Sequence, residues 1–253
     1  MLEAYVREKL KEKDILLMSH IVLGYPSFET SMEMVAAMVS AGVDLMELQI
    51  PFSEPMADGP VILRANQQAL ARGATVQKCL EFAGKATQVF NIPFLFMTYY
   101  NIVFKYGVER FAGAMATRGI RGAIIPDLPP EESDDYLIAM EKHEMAPIYI
   151  FSPTTAPARM RYIASVGKGF IYCVARKGVT GAETAFSDDL SAYLVRCADA
   201  TDLPIAVGFG IKNKADIDFL RGKGDIAVIG SEMIRRMEQE GVSGIRPFLE
   251  SLR

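Results

Sequence analysis

The chain has 253 residues, half of them apolar and 23% charged, with 27 Lys+Arg against 31 Asp+Glu for a net charge of −4. At roughly 150 residues per domain, this length and apolar content suit one self-sufficient α/β barrel covering residues 1–253 rather than two domains or a disordered chain. The charge is unclustered, which excludes the basic footprint of a nucleic-acid or anionic-membrane binder. Apolar runs such as Ile92–Met97 stop far short of the roughly 18 residues that suggest a membrane span.

Residues 1–14 mix Glu, Lys and Arg at helical spacing and lack an apolar signal core, so an N-terminal helix and no export signal are expected. Cys79, Cys173 and Cys197 are odd in number and form no C-x-x-C pair, which points to a reducing, cytoplasmic setting. With His20 and His143 as the only histidines, no ligand spacing for a metal is visible.

Short β-rich apolar runs then alternate with amphipathic stretches to the end of the chain, the pattern of βαβ units and a parallel sheet. Strands are predicted at Leu16–Leu23, Val43–Ile50, Pro93–Tyr99, Gly122–Pro126, Pro147–Phe151, Gly169–Ala175, Pro204–Gly208 and Asp225–Gly230. That is about eight, the number a closed (β/α)8 TIM barrel requires. The intervening helices are expected at Ser31–Ser40, Val76–Val89, Val108–Thr117, Glu131–His143, Pro157–Ser165, Asp188–Ala200 and Lys214–Arg221. In such a barrel, chemistry sits where strands end and the following loops begin.

The second predicted strand runs into Glu47-Leu48-Gln49-Ile50-Pro51-Phe52-Ser53-Glu54-Pro55-Met56-Ala57-Asp58-Gly59-Pro60. Alternation places Glu47 inside or at the rim of the barrel mouth, a setting suited to proton transfer. Asp58 follows in a loop stiffened by three prolines, which can return a second carboxylate over the same pocket. The alternative is that Glu47 is a capping or salt-bridged rim residue and Asp58 a turn or helix cap before Pro60. Glycine segments also follow the late strands: Gly178-Val179-Thr180-Gly181, Gly208-Phe209-Gly210 and Gly230-Ser231. Loops after the last strands of barrels, with a helix N-terminus, commonly hold phosphate through backbone N–H groups. A phosphorylated substrate is therefore expected, although each glycine alone could serve only a tight turn.

The stretch Glu47 to Pro60, with Pro126-Asp127-Leu128-Pro129-Pro130-Glu131-Glu132, Arg176-Lys177-Gly178-Val179-Thr180-Gly181 and Gly208-Phe209-Gly210-Ile211, resembles the tryptophan synthase alpha subunit family over nearly the whole chain, in order. The resemblance implies a lyase of tryptophan biosynthesis that cleaves indole-3-glycerol phosphate to indole and glyceraldehyde 3-phosphate by a retro-aldol reaction. It implies Glu47 as general acid/base, Asp58 as partner of the indole N–H, and Tyr172 as an active-site tyrosine, for which a barrel-lining role is the alternative. It further implies Gly181, Phe209, Gly210, Gly230 and Ser231 around the phosphate, and Met97, Tyr99, Ile124, Ile150 and Phe170 along the apolar wall. It also implies that Thr180 belongs to a loop that closes over the site. No cofactor is implied for this chain, with pyridoxal phosphate expected only on a β-subunit partner in an α2β2 heterotetramer.

Three residues depart from the family pattern. Gln49 stands where glycine is usual and Glu54 where aspartate is usual, which the sequence reads as a changed backbone or filled space near the partner-facing loop. His20 replaces an aromatic of the indole site and is expected to pack or to hydrogen-bond the substrate rather than act as a new acid/base. His143 reads as a helix-end residue. The alternatives to an α subunit are a stand-alone indole-3-glycerol-phosphate lyase and a weakly catalytic regulatory α-type subunit.

Overall fold

The computed structural model describes residues 2–174 and 188–253. The strands are β1 (Leu16–Val22), β2 (Leu45–Gln49), β3 (Phe94–Met97), β4 (Gly122–Ile124), β5 (Ala146–Ile148), β6 (Ile150–Phe151), β7 (Ile171–Val174), β8 (Ile205–Gly208) and β9 (Ile226–Ile229). All are parallel, in the order β5-β4-β3-β2-β1-β9-β8-β7-β6. The ring is completed because β5 and β6 are halves of one predicted strand. The first half pairs with β4 and the second with β7, the change of neighbour falling at Tyr149. The Tyr149 hydroxyl is tied down 2.7 Å from Ser133 Oγ.

The helices are α1 (Leu2–Lys9), α2 (Phe28–Ser40), α3 (Pro60–Ala71), α4 (Val76–Val89), α5 (Tyr100–Tyr106), α6 (Val108–Ala116), α7 (Asp134–Lys142), α8 (Pro157–Val166), α9 (Asp188–Ala198), α10 (Lys214–Leu220), α11 (Ser231–Glu240) and α12 (Ile245–Ser251). Their starts follow from local chemistry. Ser27 and Thr75 accept from Thr30 N and Lys78 N at the heads of α2 and α4, and Asn213 forms a capping box with Asp216 before α10. His143 caps the end of α7, its Nε2 2.9 Å from Glu109 Oε1, as a helix-end residue should. Glu131–His143, expected as one helix, is a short 3-10 turn at Pro130–Glu132 followed by α7, because Ser133 turns back to bond the Pro130 carbonyl. The helices α3, α5, α11 and α12 are additional to the predicted set. In α3, Pro60 at the first position and buried Val61, Ile62, Ala65, Asn66 and Ala69 show a helical face in a segment almost free of charge.

Strand alternation splits the core into two clusters. Outward residues such as Leu17, Ile21, Met46, Leu48 and Phe96 meet the helices. Inward residues Leu16, Met18, Leu45, Leu95, Ile124, Ile148, Phe170, Ala206, Ile226 and Val228 fill the barrel, and Leu2 and Val6 of α1 belong to this inner cluster, closing its N-terminal end. The three cysteines are buried free thiols, with Cys79 pushed up to about 12 by burial. Among the described residues, no helix is long and apolar enough to cross a membrane.

Phe170 is fully buried in this inner cluster, just before β7. Phe170→Ala is expected to lower unfolding free energy by about 3–5 kcal/mol in urea titration, the usual range for emptying an aromatic core position. A loss under about 1 kcal/mol would show the ring is not a packing element.

Candidate functional site

At the C-terminal face, one cavity of about 260 Å³ opens between strand ends and the loops that follow. Its floor and wall are apolar, with Met97, Ile124, Ile150 and Val228 from the strands and Ile62 from α3. Its polar residues come from opposite sides of the barrel. His20 of β1, Glu47 of β2 and Asp58 of the following loop stand on one side, and Tyr172 of β7 projects from another. Gly208 leaves space for that ring, since a Cβ there would lie 2.9 Å from the Tyr172 hydroxyl. Burial, reinforced by the charges of Glu47 and Asp58, pushes the Tyr172 hydroxyl well above its ordinary 10.0, so it is a hydrogen-bond donor rather than a phenolate.

The parallel register sets His20 of β1 opposite Glu47 of β2. Their side chains are 4% and 2% exposed as residues, and His20 Nδ1 lies 2.9 Å from Glu47 Oε2. Two residues along β2, Gln49 points to the same region and its Nε2 donates to Asp58 Oδ2 at 2.6 Å. Asn66 of α3 adds a longer contact of 3.5 Å to the same oxygen while its own Oδ1 accepts from Phe52 N. The loop from β2 to α3 is further fixed by Asp58 N donating to Pro55 O and Ala57 N donating to the Tyr99 hydroxyl, whose ring stacks on Phe52 at 5.0 Å. Burial raises the Asp58 carboxyl above its ordinary 3.8, against the opposing pull of the Gln49 amide and of His20.

Another part of the cavity rim, adjoining His20 at Gly230, has the features that suit an anion. Gly230 is the N-cap of α11 with no side chain capping it, and Ser231 begins the helix, so the first-turn N–H groups face the pocket. Gly210 has φ +90°, with no atom within 4 Å of where its Cβ would stand, which leaves the backbone open to approach. Phe209, Lys212 and Arg235 complete this part of the rim, and Glu232 lies 3.4 Å from Arg235. The arrangement can seat a flat apolar group between two carboxylates and a tyrosine while an attached anion is held by backbone and cations.

The structure thus gathers His20, Glu47, Asp58, Tyr172, Met97, Ile124, Ile150, Phe209, Gly210, Gly230 and Ser231 around one cavity. Two of the expected wall residues lie elsewhere. Tyr99 is wholly buried behind the Asp58 loop, which its hydroxyl supports, and Phe170 is in the core below. Thr180 and Gly181 fall outside the described residues. Gln49 is a correction: it is buried and bonded to Asp58 beneath the site instead of filling space at the loop surface, while Glu54 is exposed. The His20–Glu47 pair, Lys212 and Arg235 were missed. Lys212 follows Gly210-Ile211 directly and Arg235 is one helical turn beyond Ser231, spacings that could have revealed both. Asp127 does not enter the cavity; its Oδ1 accepts from Tyr100 N and fixes the start of α5. Among the described residues, no three His, Cys, Asp or Glu side chains converge as a metal site would need.

Comparison with known proteins matches residues 6–247 to the family model for the tryptophan synthase alpha chain. The alpha chain of Desulforapulum autotrophicum is 64% identical over the full length of both chains, and that of Syntrophotalea carbinolica 63% identical, again over both full lengths. Among solved structures, tryptophan synthase from Mycobacterium tuberculosis superposes with a TM-score of 0.91 at 31% identity, covering 98% of this chain and 95% of that one. The alpha subunit from Legionella pneumophila gives a TM-score of 0.89 at 30% identity, covering 99% and 96%.

The raised Asp58 carboxyl links this site to stability. A carboxyl whose pKa is higher folded than unfolded holds its proton more tightly in the native chain. Its contribution is therefore full below pH 3.8 and is lost as pH rises through the raised folded value. Asp58→Asn removes that loss, so the variant is expected to melt above the parent at pH 8, with the difference shrinking toward pH 4; calorimetry across this range checks it. A difference that ignores pH would show that Asp58 ionisation carries no such cost.

Proposed function

Because the chain belongs to the tryptophan synthase alpha chain family, we propose that it cleaves indole-3-glycerol phosphate to indole and glyceraldehyde 3-phosphate. The observation that carries this reading is the placing of buried Glu47 and Asp58 in one apolar cavity with the N-terminus of α11.

The chemistry needs three things of the site. A proton must reach indole C3, positive charge at the ring nitrogen must be met, and the side-chain hydroxyl must give up its proton as the carbon–carbon bond breaks. Glu47 serves the first and last. It gives a proton to C3, then takes one from the hydroxyl while the bonding electrons return to the ring and the glycerol carbon becomes a carbonyl. The two transfers cancel, and the carboxyl ends as it began. Asp58, held by Gln49 and Asn66, accepts from the ring N–H and opposes the charge that grows there. Tyr172 donates from the wall. Gly210, Gly230, Ser231, Lys212 and Arg235 hold the phosphate, so binding energy remote from the reacting carbon orients it.

The product is apolar and has a further reaction to meet, which favours an α subunit working beside a β subunit that carries pyridoxal phosphate. Met56, 76% exposed on the same loop as Asp58, and Phe104, 68% exposed on α5, supply apolar surface at this face for such a partner.

The test is indole release from indole-3-glycerol phosphate by the purified chain, alone and with a β-type partner. Glu47→Gln should lower kcat by about 10²-fold or more while leaving KM near the parent value. Retention of more than a few per cent of activity would remove Glu47 from the acid/base role. Gly210→Val should raise KM by obstructing backbone approach to the phosphate, and an unchanged KM would displace the anion site from this loop.

A further inference from the structure

Among the described residues that line the cavity, His20 is a buried ionisable group that the reaction above does not use. The hydrogen bond between its Nδ1 and Glu47 Oε2, at 2.9 Å, joins a base to an acid where both are almost sealed from solvent. Such a pair has two remaining ends, Nε2 of the ring and Oε1 of the carboxylate. Both are buried and without a hydrogen-bond partner, although His20 and Glu47 line the cavity. Unsatisfied buried polar atoms are costly, and two of them at the ends of one pair beside a pocket indicate groups kept for what enters it. If His20 were only wall, an aromatic hydrocarbon would fill the position without leaving a nitrogen unpaired.

We propose that His20 and Glu47 work as one proton-holding unit, in which the imidazole orients the carboxylate through Nδ1–H and shares with it the proton that the cleavage cycle gives out and takes back. The proposal rests on the retro-aldol reading above. In the resting unit Nδ1–H is donated to Oε2, and one further proton sits at Nε2 or Oε1. That proton leaves for indole C3, and the unit becomes a neutral imidazole beside a carboxylate. When the carbon–carbon bond breaks and its electron pair returns to the ring, the hydroxyl proton of the substrate restores the unit. His20 is thus a positioning residue that acts through Glu47 and also sets the pH range in which the unit is loaded.

The charged and titratable groups that line the cavity with His20 are Glu47 on β2, Asp58 on the next loop, Tyr172 on β7, Lys212 after β8, and Glu232 and Arg235 on α11. Burial pushes the imidazole pKa down, but the hydrogen bond and charge of Glu47, with the charge of Asp58 behind them, outweigh it and hold the ring above its ordinary 6.5. The loaded unit is the active form, so activity is fullest below the raised value and falls as pH rises through it.

Two measurements on the full chain test this. First, the ring nitrogens of His20 are titrated by NMR, with His143→Gln to leave a single imidazole signal. The titration point should lie above 6.5 and drop by about one unit or more in Glu47→Gln, where burial is opposed only by the smaller effects of Asp58 and Gln49. A point that Glu47→Gln does not move would overturn the pairing. Second, kcat and KM are followed against pH in His20→Phe and His20→Asn, with binding of glycerol 3-phosphate and the melting curve as folding controls. His20→Phe should lower kcat about tenfold to a hundredfold with KM within about twofold, and its alkaline limb should move to lower pH. His20→Asn keeps a donor to Oε2 but cannot titrate, so it should regain part of kcat while its limb stays displaced. Full recovery of both in His20→Asn would reduce His20 to a hydrogen-bond donor, and an unaltered profile in His20→Phe would reduce it to wall; either result overturns the shared proton. Should the parent release no indole from indole-3-glycerol phosphate, the cleavage reading itself fails, and the NMR titration still decides whether the pair exists.

Discussion

The parallel register between β1 and β2 is the constraint from which the rest of the site follows. Ladder hydrogen bonds fix Met18 beside Leu45 and His20 beside Glu47, and strand alternation turns both pairs into the barrel. One step of slippage of β2 would face Leu48 into the mouth and send Glu47 among the helices. The His20–Glu47 pair therefore owes its geometry to backbone bonds on both sides, not to a loop. Asp58 is the opposite case, being a loop residue brought to its place by Gln49, Asn66 and the Tyr99 hydroxyl.

Polarity inside the barrel changes along its axis. At the N-terminal end Leu16, Leu45 and Phe170 pack with Leu2 and Val6 of α1, and nothing there asks for water. Further up the same strands come His20, Glu47 and Gln49, and then the glycines and cations of the loops. Buried charge is tolerable at the upper level because each carboxylate has at least one short partner, His20 for Glu47 and Gln49 for Asp58. The apolar lower half keeps that level from relaxing, since close-packed interiors transmit displacement instead of absorbing it.

Much of this was legible in the chain. The strands are near-continuous apolar runs bounded by Gly and Pro, which is why Leu16–Leu23 and Pro204–Gly208 fall within a few residues of β1 and β8. Glu47, Asp58 and the late glycines were legible as a motif with a chemical reason. What was not legible depends on lateral neighbours. Nothing in the sequence spacing says that residue 20 sits beside residue 47, or that the Gln49 side chain turns toward Asp58, because both facts belong to register and burial. The missed helices have a different cause: α3 has few charged residues to mark its outer face, and α5 is a single short element started by an aspartate from another loop. Tyr99 and Phe170 carry the aromatic chemistry of a binding wall, and only depth in the fold separates support from contact.

The break at Tyr149 has a consequence for how the barrel opens. The β1–β2 ladder joins five residue pairs, whereas the seam on either side of Tyr149 is held by three pairs to β4 and two to β7. Cooperative opening of a closed sheet begins where the fewest ladder bonds must part together, and amide hydrogen exchange reads that order. Exchange should therefore reach Ala146–Phe151 and the equally short β8–β9 junction first, leaving the β1–β2 ladder that carries His20 and Glu47 as the last unit to release its amides.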